Sequence, residues 1–139
     1  MKIEHVAIWV KDIDKVCEFY RKYFGGVVHP LYHNPTKQFT SRFITFDDGA
    51  RLEIMHRPDI CVERNVGIEN VWTVEMFHVK HLGFTHLSFS VGSKEEVDRL
   101  TQQMSSEGVP VVGQPRTTGD GYYESVVLDP EGNRIEITI

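Results

Sequence analysis

The chain has 139 residues, of which 40% are hydrophobic and 25% are charged, and its formal net charge is −5. This composition is typical of one globular domain and excludes disordered and fibrous chains. No apolar run approaches the roughly 18 residues of a membrane span. The acidic balance, without any long Lys/Arg cluster, argues against a nucleic-acid partner. The two cysteines form no CxxC motif and no signal-peptide pattern is seen, so we expect a cytoplasmic protein.

The first part of the chain has the pattern of a strand, a helix and three further strands. Strand alternation over residues 5–10 is followed by apolar residues at helical spacing over 12–24. Asp12 precedes this helix and Gly25-Gly26 follows it, as helix start and stop signals do. Further strands are predicted over 27–33, 38–46 and 51–56, with a hairpin turn at residues 47–49.

The second part of the chain repeats this order. Strand alternation over 84–91 leads to a capping-box pattern at Ser93 and Glu96, and the helix behind it ends near Gly108. Strands are predicted over 109–115, 122–128 and 134–139. Between the parts, residues 57–82 lack clean periodicity and are predicted to be a connector with a short helix near 63–71.

The two parts are similar in residues as well as in pattern. HVAIWV at residues 5–10 aligns with HLSFSV at residues 86–91, and FDDGARLEI at 46–54 aligns with LDPEGNRIEI at 128–137. Such self-similarity decides the architecture. We therefore predict an α+β fold of two βαβββ modules in tandem, whose curved sheets surround a cleft. The first module is residues 1–57, the connector 58–82 and the second module 83–139.

The repeat aligns four residues of types that bind metals. His5 aligns with His86, and Glu53 aligns with Glu136. Each lies in its strand on the face opposite the apolar residues, and the helices are expected to cover the apolar faces. If the two sheets curve toward each other, the four side chains converge. Two imidazoles and two carboxylates suit a divalent metal such as Zn, Ni, Co, Mn or Fe.

The motifs HVAI at 5–8, LEI at 52–54, HLSF at 86–89 and DPEGNRIEI at 129–137 resemble the vicinal oxygen chelate superfamily. This superfamily includes glyoxalase I, bleomycin-resistance proteins, extradiol dioxygenases and thiol transferases. The set of two His and two Glu resembles glyoxalase I most. The resemblance implies that His5, Glu53, His86 and Glu136 bind a divalent metal (Ni, Co, Zn or Mn). It also implies that one glutamate, Glu136 before Glu53, is the catalytic base of a lyase or isomerase.

The sequence departs from bacterial glyoxalase I at the position of Trp9, where those enzymes usually have an arginine that binds the glutathione carboxylate. An indole cannot form that ion pair. The thiol, or the use of a thiol, is therefore left open, and Trp9, Arg51 and Tyr123 are the predicted substrate-binding residues. The alternatives are a small-molecule or drug-binding resistance protein, and a metal-dependent thiol transferase or dioxygenase. A homodimer is expected because the sheets have open edges.

Overall fold

The computed structural model describes residues 3–60, 84–119 and 121–139. The chain divides into two compact units, residues 1–64 and 65–139, and the described part of each has one helix and one mixed β-sheet. No helix within these ranges is long and apolar enough to cross a membrane. The short helix predicted near 63–71, with most of the predicted connector, lies outside the described residues.

The first unit contains β1 (His5–Trp9), α1 (Ile13–Phe24), β2 (Val27–Val28), β3 (Tyr32–Asn34), β4 (Phe39–Thr45) and β5 (Arg51–His56). Its sheet has the order β1-β5-β4-β2, and β3 also pairs with β4. The β1–β5 pair is parallel, whereas the pairs with β4 are antiparallel. The chain must therefore cross over between β1 and its parallel neighbour, and α1 with the three strands that follow makes this crossing.

One predicted element of this unit is wrong. Residues 27–33 form two short strands, β2 and β3, instead of one continuous strand. Pro30 lies between them, and a proline has no backbone N–H to donate to a neighbouring strand. Both pieces still pair antiparallel with β4, and the His29 N–H donates to the Phe43 carbonyl at 2.9 Å. The interruption therefore breaks the strand without moving it to another partner.

The predicted helix signals act at both ends of α1. The Asp12 carboxylate accepts a hydrogen bond from the Lys15 N–H at 2.9 Å, which is the N-cap interaction. At the other end Gly25 adopts φ 64°, and its N–H donates to the Tyr20 carbonyl. A positive φ is easily accessible to glycine, so the stop signal has a structural cause.

The second unit contains β6 (His86–Ser90), α2 (Lys94–Ser106), β7 (Val111–Thr117), β8 (Tyr123–Leu128) and β9 (Arg134–Thr138). Its sheet has the order β6-β9-β8-β7, with β6 parallel to β9 and the other pairs antiparallel. Ser93 caps α2 by accepting from the Glu96 N–H, while the Glu96 carboxylate pairs with Arg99.

Each helix covers the apolar face of its own sheet. In the first unit α1 packs against β4 and β5, where Ile44, Leu52 and Ile54 are buried. In the second unit α2 packs against β7, β8 and β9, where Ile135 and Ile137 are buried. This burial supplies most of the stabilisation within each unit. The predicted α+β fold with two repeated modules is confirmed.

Candidate metal centre and substrate cavity

The first predicted ligand pair lies on the face of its sheet that is opposite α1. His5 on β1 stands beside Arg51 on the parallel strand β5, and Glu53 is two residues farther along β5. Because side chains alternate along a strand, His5, Arg51 and Glu53 share one face. We call this surface, with Phe43 from β4 opposite Glu53, the first His/Glu face.

Glu4 organises the first His/Glu face. Its Oε2 lies 2.5 Å from His5 Nδ1, and its Oε1 lies 2.5 Å from Arg51 Nη2. The hydrogen bond from His5 holds the pKa of Glu4 below its usual value. Since a carboxylate only accepts, Nδ1 of His5 carries the proton, and a neutral imidazole then keeps its lone pair on Nε2. The Arg51 guanidinium also lies over the Phe43 ring, 4.0 Å from its centroid.

The second predicted ligand pair has the same placement in the second unit. His86 on β6 stands beside Arg134 on the parallel strand β9, and Glu136 is two residues farther along β9. Here the two ligand-type side chains are in contact, because His86 Nε2 lies 3.2 Å from Glu136 Oε2. The Glu136 side chain is 20% exposed. We call this surface the second His/Glu face.

The residue before each histidine engages the same ring nitrogen. Glu4 contacts Nδ1 of His5, and Thr85 Oγ1 lies 2.8 Å from Nδ1 of His86. Hydrogen bonding at one imidazole nitrogen is the usual way in which a protein orients a histidine whose other nitrogen binds a metal. His86 Nε2 lies beside the Glu136 carboxylate, and His5 shares a face with Glu53; imidazole and carboxylate donors fit a borderline divalent cation.

The structure brings together part of the predicted ligand set. Across the described residues, no group of three or more His, Cys, Asp or Glu side chains is arranged to hold a metal ion. The His86–Glu136 pair is in contact, while His5 and Glu53 share a face of the other sheet.

A cavity of about 450 Å³ opens beside the second His/Glu face, and we call it the second-half cavity. Strand residues form one side of it, and the segment before β8 forms another. Its described lining residues are His86, Ser88, Glu124, Glu136, Thr138, Thr118 and Tyr122. The predicted base Glu136 therefore faces a space large enough for a small molecule.

Tyr123, a predicted substrate-binding residue, is not among the described residues that line the second-half cavity. The Tyr123 hydroxyl donates to Asp98 Oδ1 on α2 at 2.7 Å, and the ammonium of Lys94 lies over its ring. Tyr123 is thus on the helix side of the sheet, and it is Tyr122 that lines the second-half cavity. The hydrogen bond to Asp98 raises the pKa of the Tyr123 phenol above its usual value.

Glu124 is a cavity residue that sequence reasoning missed. It stands beside Thr138 in the antiparallel pair β8–β9, and so it shares the face of Glu136. Its side chain is only 13% exposed, and its Oε1 lies 3.2 Å from Arg116 Nη2. The alternation that would reveal the facing of Glu124 is missing, because Val126, Val127 and Leu128 are all apolar and all buried. Without alternation in that run, the sequence does not show which face of β8 Glu124 takes.

The other residues singled out lie as follows. Trp9 shares the face of His5 by strand alternation and is 48% exposed, so its indole is accessible. Arg51 belongs to the first His/Glu face through its contacts with Glu4 and Phe43. Cys17 is buried under the first sheet, and burial raises the pKa of its thiol to about 11. A thiol in that state is a poor nucleophile and a poor metal ligand.

Comparison with known proteins places these features in a family. A model of the Glyoxalase/Bleomycin resistance protein/Dioxygenase superfamily matches residues 2–137. YqjT of Bacillus subtilis (strain 168), an uncharacterized protein, is 23% identical over 138 residues, which are 97% of this chain and 96% of YqjT.

Two solved structures illustrate the shared fold. A glyoxalase family protein from Enterococcus faecalis superimposes with a TM-score of 0.74 at 23% identity, covering 99% of this chain and 97% of its own. The trypanothione-dependent glyoxalase I of Leishmania major superimposes with a TM-score of 0.70 at 20% identity, covering 99% of this chain and 86% of its own. At these identities the likeness shows the fold.

Proposed function

The chain belongs to the Glyoxalase/Bleomycin resistance protein/Dioxygenase superfamily, and on that basis we propose that it is a divalent-metal-dependent lyase or isomerase of glyoxalase I type. Its substrate chelates the metal through adjacent oxygens, as the hemithioacetal of an α-oxoaldehyde does. The observation that carries the proposal is the His/Glu pair repeated at equivalent strand positions of both units, with Nδ1 of each His engaged by the preceding residue.

His5, Glu53, His86 and Glu136 would hold the metal, which is Ni, Co, Zn or Mn. When bound, such a cation supplies Lewis acidity that polarises the adjacent oxygens of the substrate. Within the described residues, no hydrogen bond or ion pair is recorded for the Glu53 carboxylate, which leaves it available as a ligand. The neutral imidazoles contribute no charge, so the negative charge of the site comes from the two carboxylates.

Glu136 is the proposed base. Its carboxylate lines the second-half cavity and lies beside His86, so it can hold a proton taken from one substrate carbon and deliver it to the next. The exposed indole of Trp9 offers a stacking surface for the substrate, and Arg51 offers a cationic group on the first His/Glu face. Glu53 is the second candidate for the base.

An isomerase assay tests the proposal. Metal-free protein is reloaded with Ni, Co, Zn or Mn and given the hemithioacetals that methylglyoxal forms with glutathione and with L-cysteine. We expect turnover with at least one metal, and a loss of about 100-fold or more in kcat for Glu136→Gln at saturating metal, since general-base catalysis contributes about that much. Glu95→Gln is the matched control, because Glu95 is exposed in the first turn of α2.

Two results would contradict the proposal. One is the absence of turnover with all four metals and both thiols. The other is an unchanged kcat in Glu136→Gln, which would exclude that carboxylate as the base.

We also propose that the protein works as a homodimer in the cytoplasm. The strands β1 and β2 are the ends of one sheet order, and β6 and β7 are the ends of the other. Edge strands of this kind favour pairing or covering by a second copy of the chain. A native mass near twice the 16.0 kDa chain mass is expected, and a single-chain mass would contradict the dimer.

A further inference from the structure

The wall of the second-half cavity is made of hydrogen-bonding groups. Ser88, Thr118, Tyr122 and Thr138 contribute hydroxyls, and the other described lining residues are one histidine and two glutamates. No aliphatic side chain is among the described residues that line it. The Thr118 and Thr138 hydroxyls already donate to the Tyr122 and Tyr123 carbonyls, and their oxygens can still accept a hydrogen bond from a hydroxylated ligand but not from an apolar one. The wall therefore favours a polar occupant.

The Glu124 carboxylate is held at the cavity by an ion pair with Arg116. The Arg116 guanidinium contacts its Oε1 at 3.2 Å, and the described hydrogen bonds of the carboxylate end on that atom. The second oxygen, Oε2, is left as an acceptor for a molecule in the cavity. The Glu124 side chain as a whole is only 13% exposed, and the residue lines the cavity.

The charges around Glu124 decide what it accepts. Glu124 and Glu136 both line the cavity, so an anionic group of a ligand would be repelled there. Arg116 already compensates the charge of Glu124, which makes this carboxylate a weak attractor for a second cation. A neutral hydroxyl that donates a hydrogen bond meets neither obstacle.

We propose that Glu124 is a specificity-determining residue that accepts a hydrogen bond from a substrate hydroxyl. The substrate class is then a small hydroxylated carbonyl compound, whose extra hydroxyl lies beyond the two adjacent oxygens. This inference rests on the proposed function for the chelating oxygens, and it adds a hydroxyl that strengthens binding relative to methylglyoxal-type compounds, which lack it.

A matched pair of neutral probes tests the inference. Dihydroxyacetone and hydroxyacetone both carry a carbonyl next to a hydroxyl, and they differ by one further hydroxyl. Their dissociation constants are measured on the full ¹⁵N-labelled chain by NMR titration, following the amides of Ser88 and Thr138. We expect dihydroxyacetone to bind about tenfold more tightly, as a hydrogen bond to a charged acceptor implies.

Variants of Glu124 assign the preference to this residue. Glu124→Leu is expected to bring the two dissociation constants to about the same value, and Glu124→Gln to keep part of the difference because an amide oxygen still accepts. Glu95→Gln, on the other side of the sheet, is expected to keep the full preference. Equal affinities in the wild type, no binding of either probe, or a preference that survives Glu124→Leu would overturn the inference.

The same titrations are run with EDTA and with Zn²⁺, and Zn²⁺ uptake is measured in each sample. A hydroxyl preference without Zn²⁺ uptake would contradict the proposed metal function and still support the role of Glu124. Zn²⁺ uptake without a hydroxyl preference would overturn the role of Glu124 and leave the proposed function standing.

Discussion

At each histidine of the candidate site, the preceding residue contacts Nδ1 of the imidazole. Glu4 and Thr85 are different residues, yet both contact Nδ1, at 2.5 Å and 2.8 Å. In the first unit a carboxylate fixes the proton on Nδ1, while in the second unit a hydroxyl can donate or accept. The first histidine is therefore the more strongly oriented of the two. Sequence reasoning found both histidines through the repeat but did not weigh their neighbours.

Tyr123 provides a test at the residue scale, because its hydroxyl binds Asp98. This bond raises the pKa of the phenol, so its stabilising effect is present below the usual tyrosine pKa and is lost as the pH rises through the raised value. Tyr123→Phe should lower the urea midpoint at pH 8, and the difference from wild type should shrink above about pH 10.

Tyr122→Phe is the control for this measurement, because Tyr122 is 57% exposed, and we expect its urea midpoint at pH 8 to match the wild type. A Tyr123→Phe midpoint equal to wild type at pH 8, or a difference that grows with pH, would contradict the assignment of Tyr123 to the helix side.

The side chains of β8 show where reading the sequence reached its limit at this scale. The sequence predicts Tyr123 as a substrate-binding residue, whereas it is the neighbouring Tyr122 that lines the cavity. Val126, Val127 and Leu128 show no alternation, so the sequence does not indicate which face of β8 the Tyr123 side chain takes. Packing buries both faces of β8 along that run. Hydrophobicity alone therefore does not show which residues of β8 face the helix and which face the cavity.

Gly26, in the connection between α1 and β2, lies so close to the sheet that a side chain does not fit there. A Cβ on Gly26 would lie 2.6 Å from Ile44 Cγ2, and Ile44 is fully buried in β4. The helix therefore ends against the sheet at a point where no side chain fits. The sequence predicted the end of the helix from the two glycines, and the structure adds that the second one is required by packing.

Gly26→Ala should accordingly destabilise the protein by about 1–3 kcal/mol, the range for inserting a methyl into a packed core. Gly119→Ala is the control, since a Cβ there meets nothing within 4 Å, and its effect should stay within about 0.5 kcal/mol. Urea unfolding followed by circular dichroism measures both. Equal stability of the two variants would contradict the described approach of Gly26 to Ile44.

Helices and turns were predicted well at the element scale, and one strand was not. The caps at Asp12 and Ser93 are local interactions, so their signals are complete within a few residues of sequence. The prediction of one continuous strand over 27–33 failed because the apolar pattern continues on both sides of Pro30 and does not show the interruption. A strand depends on its partner, and the partner of β2 and β3 is β4, which begins after β3 ends.

The repeat is the property of the whole molecule on which the functional proposal depends. It made the fold predictable, because two similar halves that each bury one sheet face require the same topology twice. It also identified four ligand-type residues that would be unremarkable one at a time. It did not identify Glu124, because the equivalent position of the first unit is Ser41, which stands opposite Met55 as Glu124 stands opposite Thr138.

The most direct test of the central claim is native mass spectrometry of the Zn²⁺-loaded protein. We predict one Zn²⁺ per chain, and a decrease of about tenfold or more in Zn²⁺ affinity for both His5→Gln and His86→Gln, as expected for the loss of a ligand. His33→Gln, at an exposed position of β3, should keep the wild-type occupancy. No Zn²⁺ on the wild type, or full occupancy in His5→Gln or in His86→Gln, would contradict a metal centre built from both halves of the repeat.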